Sequence, residues 1–120
     1  MYYLYSMSEL QSDFDECLFH TSSALYRRLA YLADSQFKIV ELTPTQGFLL
    51  MTLKKAPGIT ITDLAFMHHL DPSTITRTLD KLESQGLIHR ENMGRITRVF
   101  PTDGGVRKEA DAKAAWKKPC

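Results

Sequence analysis

Between Thr43 and Gly86 the sequence is punctuated three times by a residue able to cap a helix, each followed by a new apolar repeat. In Thr43-Pro44-Thr45-Gln46, Thr43 can cap, Pro44 suits the first helical position and Gln46 completes a capping box. The helix so begun carries Phe48, Leu49, Leu50 and Leu53 and stops at Ala56-Pro57-Gly58, a turn signal that leaves Ile59 as a one-bridge strand. Thr60, with Asp63 three residues on, opens another helix that buries Ile61, Leu64, Ala65 and either Met67 or Leu70. Asp71-Pro72 repeats the cap-and-proline start, and Gly86 is placed for the left-handed residue that ends a helix. A helix is therefore expected from about Pro72 to Gln85. Within it Ile75, Leu79 and Leu82 recur at i, i+4 and i+7, which fixes a core face and turns Ser73, Thr74, Arg77 and Lys81 outward. Leu87 to Arg90 and Thr97 to Phe100 read as two strands joined by a loop over residues 91–96, with Arg95 near its tip and Arg98 on the far strand. Helix, helix, helix, basic hairpin is the order of a winged helix-turn-helix, mainly α with a small β-hairpin wing.

Two helices flank this block. From Ser8 to Ala33 the residues Leu10, Phe14, Cys17, Leu18, Leu25, Leu29 and Leu32 recur at helical spacing, and the Ala-rich stretch from Thr102 to Lys118 forms a last helix starting near Asp103 despite Gly104 and Gly105. A chain of 120 residues, 43% of them apolar, suits one domain with a single core. The net charge is only +1, so a nucleic-acid partner must be met by a local basic patch. There is no basic leader followed by an apolar run, and no stretch of membrane-spanning length, so a cytoplasmic protein without a membrane partner is expected. Cys17 and Cys120 fit no zinc spacing and are expected as free thiols. His20, His68, His69 and His89 are joined by no Cys, Asp or Glu at ligand spacing, so neither a metal nor a cofactor is expected.

The outward side of the helix over 72–85 carries Ser73, Thr74, Thr76 and Arg77 where a plain solvated helix would carry Glu and Lys. An α-helix fits the major groove of DNA; Ser and Thr hydroxyls can contact phosphates or base edges, and Arg can bond bidentately to guanine. The positive end of the helix dipole also favours phosphate oxygens. Taken alone, Ser73 and Thr74 could equally be simple first-turn residues, with Arg77 paired to Asp80 on a solvated face.

Thr43-Pro44-x-Gln46, Asp63-Leu64-Ala65, Leu70-Asp71-Pro72-Ser73-Thr74-Ile75-Thr76-Arg77, Leu82-Glu83-x-x-Gly86-Leu87-Ile88-x-Arg90 and Pro101-Thr102-x-x-Gly105 together resemble the MarR family of bacterial transcription regulators, in register over roughly residues 40 to 106. The resemblance implies a homodimer whose two winged helix-turn-helix lobes bind pseudo-palindromic double-stranded DNA, a repressor relieved by a small phenolic ligand or an oxidant, and no catalytic activity. It implies an N-terminal dimerisation helix over 1–36, a DNA-binding domain over 37–101 and a C-terminal dimerisation helix over 102–120. That last helix is shortened, since the family closes with two. Ser73, Thr74, Thr76, Arg77 and Lys81, with His69, Arg95 and Arg98, are the implied DNA contacts. Arg95 would enter the minor groove, although the wing loop is shorter than usual and Met93-Gly94 stands where an acidic brace is customary. Cys17, with Tyr31 fourteen residues on, resembles the peroxide-sensing branch; an inert core thiol is the other reading. A dimer would be built from the first helix, with Tyr2, Tyr3, Leu4 and Tyr5 as added cover and Trp116 as an anchor. The alternative function is a winged-helix protein-interaction module that does not clamp DNA because of the short C-terminus.

Overall fold

The computed structural model describes the backbone of residues 7–117 and the side chains of residues 11–116. Tyr2, Tyr3, Leu4, Tyr5 and Cys120 lie outside the described residues. The elements run α1 (Met7–Lys38), α2 (Pro44–Lys55), β1 (Ile59–Thr60), α3 (Ile61–His68), α4 (Pro72–Ser84), β2 (Ile88–Met93), β3 (Ile96–Pro101) and α5 (Asp103–Lys117). No helix among the described residues is long and apolar enough to cross a membrane.

Helix α1 passes the expected end at Ala33 and continues to Lys38. Residues 34–38 contain neither glycine nor proline to stop it. The helix instead closes on Glu41 at φ 62°, with Leu42 N–H on the Phe37 carbonyl at 3.0 Å and Glu41 N–H on the Lys38 carbonyl at 3.0 Å. This paired closure usually employs glycine, so a search for glycine stops passes over it. The chain divides into a compact unit ending at Ala33 and another beginning at Asp34. Helix α5 falls in the second unit together with α2, α3, α4 and the sheet.

The first unit is a helix with an apolar stripe. Phe14, Leu18, Leu25 and Leu29 are each at least 50% exposed, and Cys17 is exposed beside them. The cysteine is therefore not an inert core thiol within the chain.

The second unit holds the core. Leu49, Leu50 and Leu53 from α2, Leu64 from α3, and Ile75, Leu79 and Leu82 from α4 are fully buried, each contributing about 1.5–3 kcal/mol by leaving water. Leu64 and Ala65 are buried on α3 as expected, whereas Ile61 is only half-buried, Met67 is 57% exposed, and Leu70, half-buried, lies just beyond the end of the helix. The capping box at Thr43 forms as expected, with Gln46 N–H on Thr43 Oγ1 at 3.2 Å and Thr43 N–H on Gln46 Oε1 at 3.0 Å. Thr60 caps α3 through Asp63 N–H at 3.1 Å. Asp71 differs: its backbone is extended, but its side chain makes no capping bond to α4. Phe37, Phe48 and Trp116 form an aromatic trio with centroids 5.1–5.4 Å apart. Trp116 is thus engaged inside its own unit.

The sheet has order β1-β3-β2 and is antiparallel throughout, with Ile59 opposite Val99 and His89 opposite Phe100. One joint connects α4, the sheet and α5. Gly86, at φ 74°, closes α4 with the same paired geometry, its N–H on Glu83 O and that of Leu87 on Leu82 O, both 2.9 Å. Thr102 then donates its hydroxyl to the Gly86 carbonyl at 2.6 Å, while its oxygen accepts the Gly105 N–H at 3.1 Å as the cap of α5. A side chain at Gly105 would collide with the carbonyl of Leu87, so glycine lets α5 lie against that carbonyl. The bond from Thr102 N–H to the same carbonyl at 3.0 Å prevents it from moving aside. Gly105→Ala is expected to destabilise the protein by about 1–3 kcal/mol, measured as a lower urea midpoint. Gly104→Ala, whose new carbon would meet nothing closer than 3.6 Å, serves as the tolerated control.

Candidate nucleic-acid interface

Helix α4 is divided lengthwise. Ile75, Leu79 and Leu82 are fully buried, and this clamps the helix so that the opposite flank has a fixed direction. Ser73, Arg77 and Lys81 are exposed on that flank, and Thr74 and Thr76 are half-buried. The Thr76 hydroxyl donates to its own helix at the Pro72 carbonyl, 2.9 Å away, as Thr78 does to Thr74, so both offer an outside group only acceptor lone pairs. Arg77 does not pair with Asp80. Among the described residues its side chain makes one hydrogen bond, a long one to Thr74 Oγ1 at 3.5 Å, and neither Arg77 nor Lys81 joins an ion pair there.

Asp80 is occupied elsewhere. Arg90, on β2, places one nitrogen 2.8 Å from Asp80 Oδ1 and 2.7 Å from Glu83 Oε1, so one guanidinium ties the wing to two successive turns of α4. The hydrogen bond from Arg90 holds the Glu83 carboxyl below its ordinary range, and the bond to Glu83 raises the guanidinium in turn. Both carboxylates are partly exposed, so solvent weakens the attraction. The clamp matters for geometry more than for stability. Its signal was present in sequence as Glu83 and Arg90 seven residues apart, but a helix-to-strand pairing across a turn has no periodicity to reveal it.

The wing is tighter than expected. Met93 pairs with Ile96, so the strands extend inward and the turn is Gly94-Arg95 alone, not residues 91–96. Gly94 at φ 65° occupies the first central position of a type II′ turn, whose twist matches that of the strands. Arg95 is exposed at the tip. Arg98 faces the sheet edge instead, donating to the Gly58 carbonyl at 2.9 Å and bracing β1 against β3. Of the three arginines on the hairpin, Arg90 and Arg98 are turned to partners within the chain and Arg95 is the one presented outward.

The histidines separate similarly. His69 closes α3 in the left-handed region at φ 53° and is exposed before α4. His68 turns inward, its Nε2 lying 2.9 Å from Thr52 Oγ1. The Thr52 hydroxyl hydrogen is already given to the Phe48 carbonyl at 3.0 Å, so His68 donates from Nε2. Burial, with His69 beside it, pushes the His68 pKa down, which favours a neutral, structural imidazole. On α1, Cys17 and Tyr31 are fourteen residues apart in one helix, about 21 Å along its axis. Within one chain they cannot touch.

The Arg90 clamp generates a test. Arg90→Ala is expected to lower hydrogen-exchange protection of the β2–β3 amides at neutral pH while α4 keeps its own. Because the folded Glu83 carboxyl is depressed, its contribution is complete above its reference value of 4.5 and is lost as pH falls through the lower folded value. Wild-type wing protection should decline in that acid window, and that of Arg90→Ala should not.

The MarR family model matches residues 42–93, from the approach to α2 to the end of β2. The HTH-type transcriptional regulator YybA of Bacillus subtilis (strain 168) is 35% identical over 84 residues, covering 68% of this chain and 56% of that protein. The HTH-type transcriptional repressor MdtR of the same organism is 29% identical over 108 residues, covering 90% and 66%. The chain thus spans under two thirds of the length of either relative. The overoxidized form of AbfR bound to DNA superposes with TM-score 0.86 at 22% identity, over 95% of this chain and 86% of that one, a likeness of fold. With motif, family match and fold in agreement, the winged helix-turn-helix of this chain belongs to the MarR family.

Proposed function

We propose that the chain is a transcription regulator that binds pseudo-palindromic double-stranded DNA as a homodimer and acts as a repressor. The observation that carries this is the outward flank of α4. Ser73, Arg77 and Lys81 are exposed there, and both cations lack an ion-pair partner among the described residues. A helix so presented can lie along base edges, with Arg95 on the stiff wing tip reaching the adjacent minor groove. Ser73, Thr74 and His69 stand at the entry to α4, where phosphate contacts belong. The name of MdtR as a repressor supports the sign of regulation, and the DNA-bound AbfR fold supports the partner.

The apolar stripe of α1 supports the homodimer. A helix with Phe14, Leu18, Leu25 and Leu29 at least half exposed presents a face that water disfavours and a second copy can cover. Cys17 and Tyr31, too distant in one chain, could meet only between two. Relief by a small phenolic ligand or by a hydroperoxide at Cys17 completes the proposal.

Arg77→Ala is expected to weaken specific DNA binding by about 1–3 kcal/mol and relax sequence preference at one position, read by titration against fragments selected from random DNA. Unchanged affinity and preference would remove Arg77 from the interface. No selected fragments at all would favour the protein-interaction module. Light scattering at micromolar concentration is expected to give twice the chain mass; a monomer would defeat the dimer.

A further inference from the structure

Glu109 is the one carboxylate among the described residues that folding buries. It lies on α5, which packs against α2, and its side chain is 4% exposed. Lys54, in the last turn of α2, places its Nζ 3.3 Å from Glu109 Oε2, with 48% of the Lys54 side chain still in solvent. Oε2 accepts no hydrogen bond among the described residues, so the ammonium stands at ion-pair distance without the alignment of a bond. We propose that this pair makes Lys54 an acylation site for donors of the acyl phosphate class, and that the modification loosens α5 against α2.

The chemistry follows from the asymmetry of the pair. A lysine amine is a nucleophile only after it gives up a proton, and a neighbouring base that can take that proton activates it. Glu109 Oε2 has lone pairs that no other donor uses, and burial keeps bulk water from competing for them. Half of the Lys54 side chain remains accessible, so a small donor can approach from the solvent side. Among the described residues Lys54 is the one lysine that joins an ion pair. Lys55 and Lys81 are exposed and have no such base.

The Lys54 ammonium passes one proton to Glu109 Oε2, and the freed lone pair attacks the carbonyl carbon of the acyl phosphate. The carbon–nitrogen bond forms as the carbon–oxygen bond to the phosphate breaks. Phosphate leaves with that electron pair and takes the second nitrogen proton, and Glu109 returns its own proton to water. What remains beside the carboxylate is a neutral amide. A buried carboxylate that loses its counter-cation is costly, and acylation acts on lysine by just this loss of charge. Lys54 is the ion-pair partner of Glu109 among the described residues, so α5 must yield to let water reach the carboxylate. The site does not depend on DNA binding and stands or falls without it.

The test incubates the full-length chain with acetyl phosphate at neutral pH and follows acetylation by peptide mass spectrometry, with Lys55 and Lys81 as internal references. Lys54 is expected to react about tenfold faster than either. Glu109→Gln, which keeps the shape of the side chain but is no base, should bring Lys54 down to their rate. Lys54 reacting no faster than its references, or keeping its rate in Glu109→Gln, overturns the acylation site. Should Glu109→Gln not fold, the wild-type rates decide alone.

The loosening of α5 is read separately and needs no acyl donor. Lys54→Gln carries the neutral amide of an acylated chain, and should lower hydrogen-exchange protection of the α5 amides by about tenfold or more. Lys54→Arg, which keeps the charge, should retain that protection. Equal protection in the two variants overturns the coupling of Lys54 to α5.

Discussion

The carbonyl groups of Gly86 and Leu87 are the point from which the second unit is organised. One accepts the Thr102 hydroxyl, the other accepts the Thr102 amide and lies against Gly105. The end of α4, the return from the sheet and the start of α5 therefore meet within a few residues. Because backbone carbonyls do not change rotamer, the joint is stiff in a way that packing of side chains alone is not. Pro101-Thr102-x-x-Gly105 acquires a physical meaning here: a hydroxyl that donates in one direction and accepts from another, and a residue small enough to let a helix lie on a peptide group.

From that joint the α4 flank inherits its direction. The buried leucines and Ile75 stop rotation of α4 about its axis, and Arg90 fixes the wing to the same helix through Asp80 and Glu83. Arg98 holds the sheet edge through Gly58. The cations on the outward flank are not used for stability, whereas those that stabilise are turned inward. This division of labour gives the surface its character: groups with unmet hydrogen-bonding capacity are carried on elements that cannot yield.

Much of this was legible in the sequence because it rests on local signals. Thr43-Pro44-Thr45-Gln46 declares its helix through the spacing of a cap and its reciprocal partner, and Ile75, Leu79 and Leu82 declare a face by period alone. The same is true of Gly86 as a stop. What was not legible depends on residues distant in sequence or on atypical ones in familiar roles. Glu41 closes α1 without being glycine, and residues 91–93 and Ile96 look like loop until Met93 finds its opposite partner. Arg98 looked like a surface cation until Gly58, forty positions earlier, proved to be its acceptor. Nothing local in the sequence set Trp116 beside Phe37 and Phe48.

The two-residue turn at Gly94-Arg95 has a mechanical corollary. A long loop can remodel itself to suit whatever it meets, but a hairpin closed by a type II′ turn has little slack. If the proposed regulator function holds, accommodation must come from the duplex. Sequences flanking each half-site whose groove narrows or bends at small elastic cost would be preferred at positions no side chain touches, so the stiffness of a protein finger becomes a demand on the pliancy of the nucleic acid.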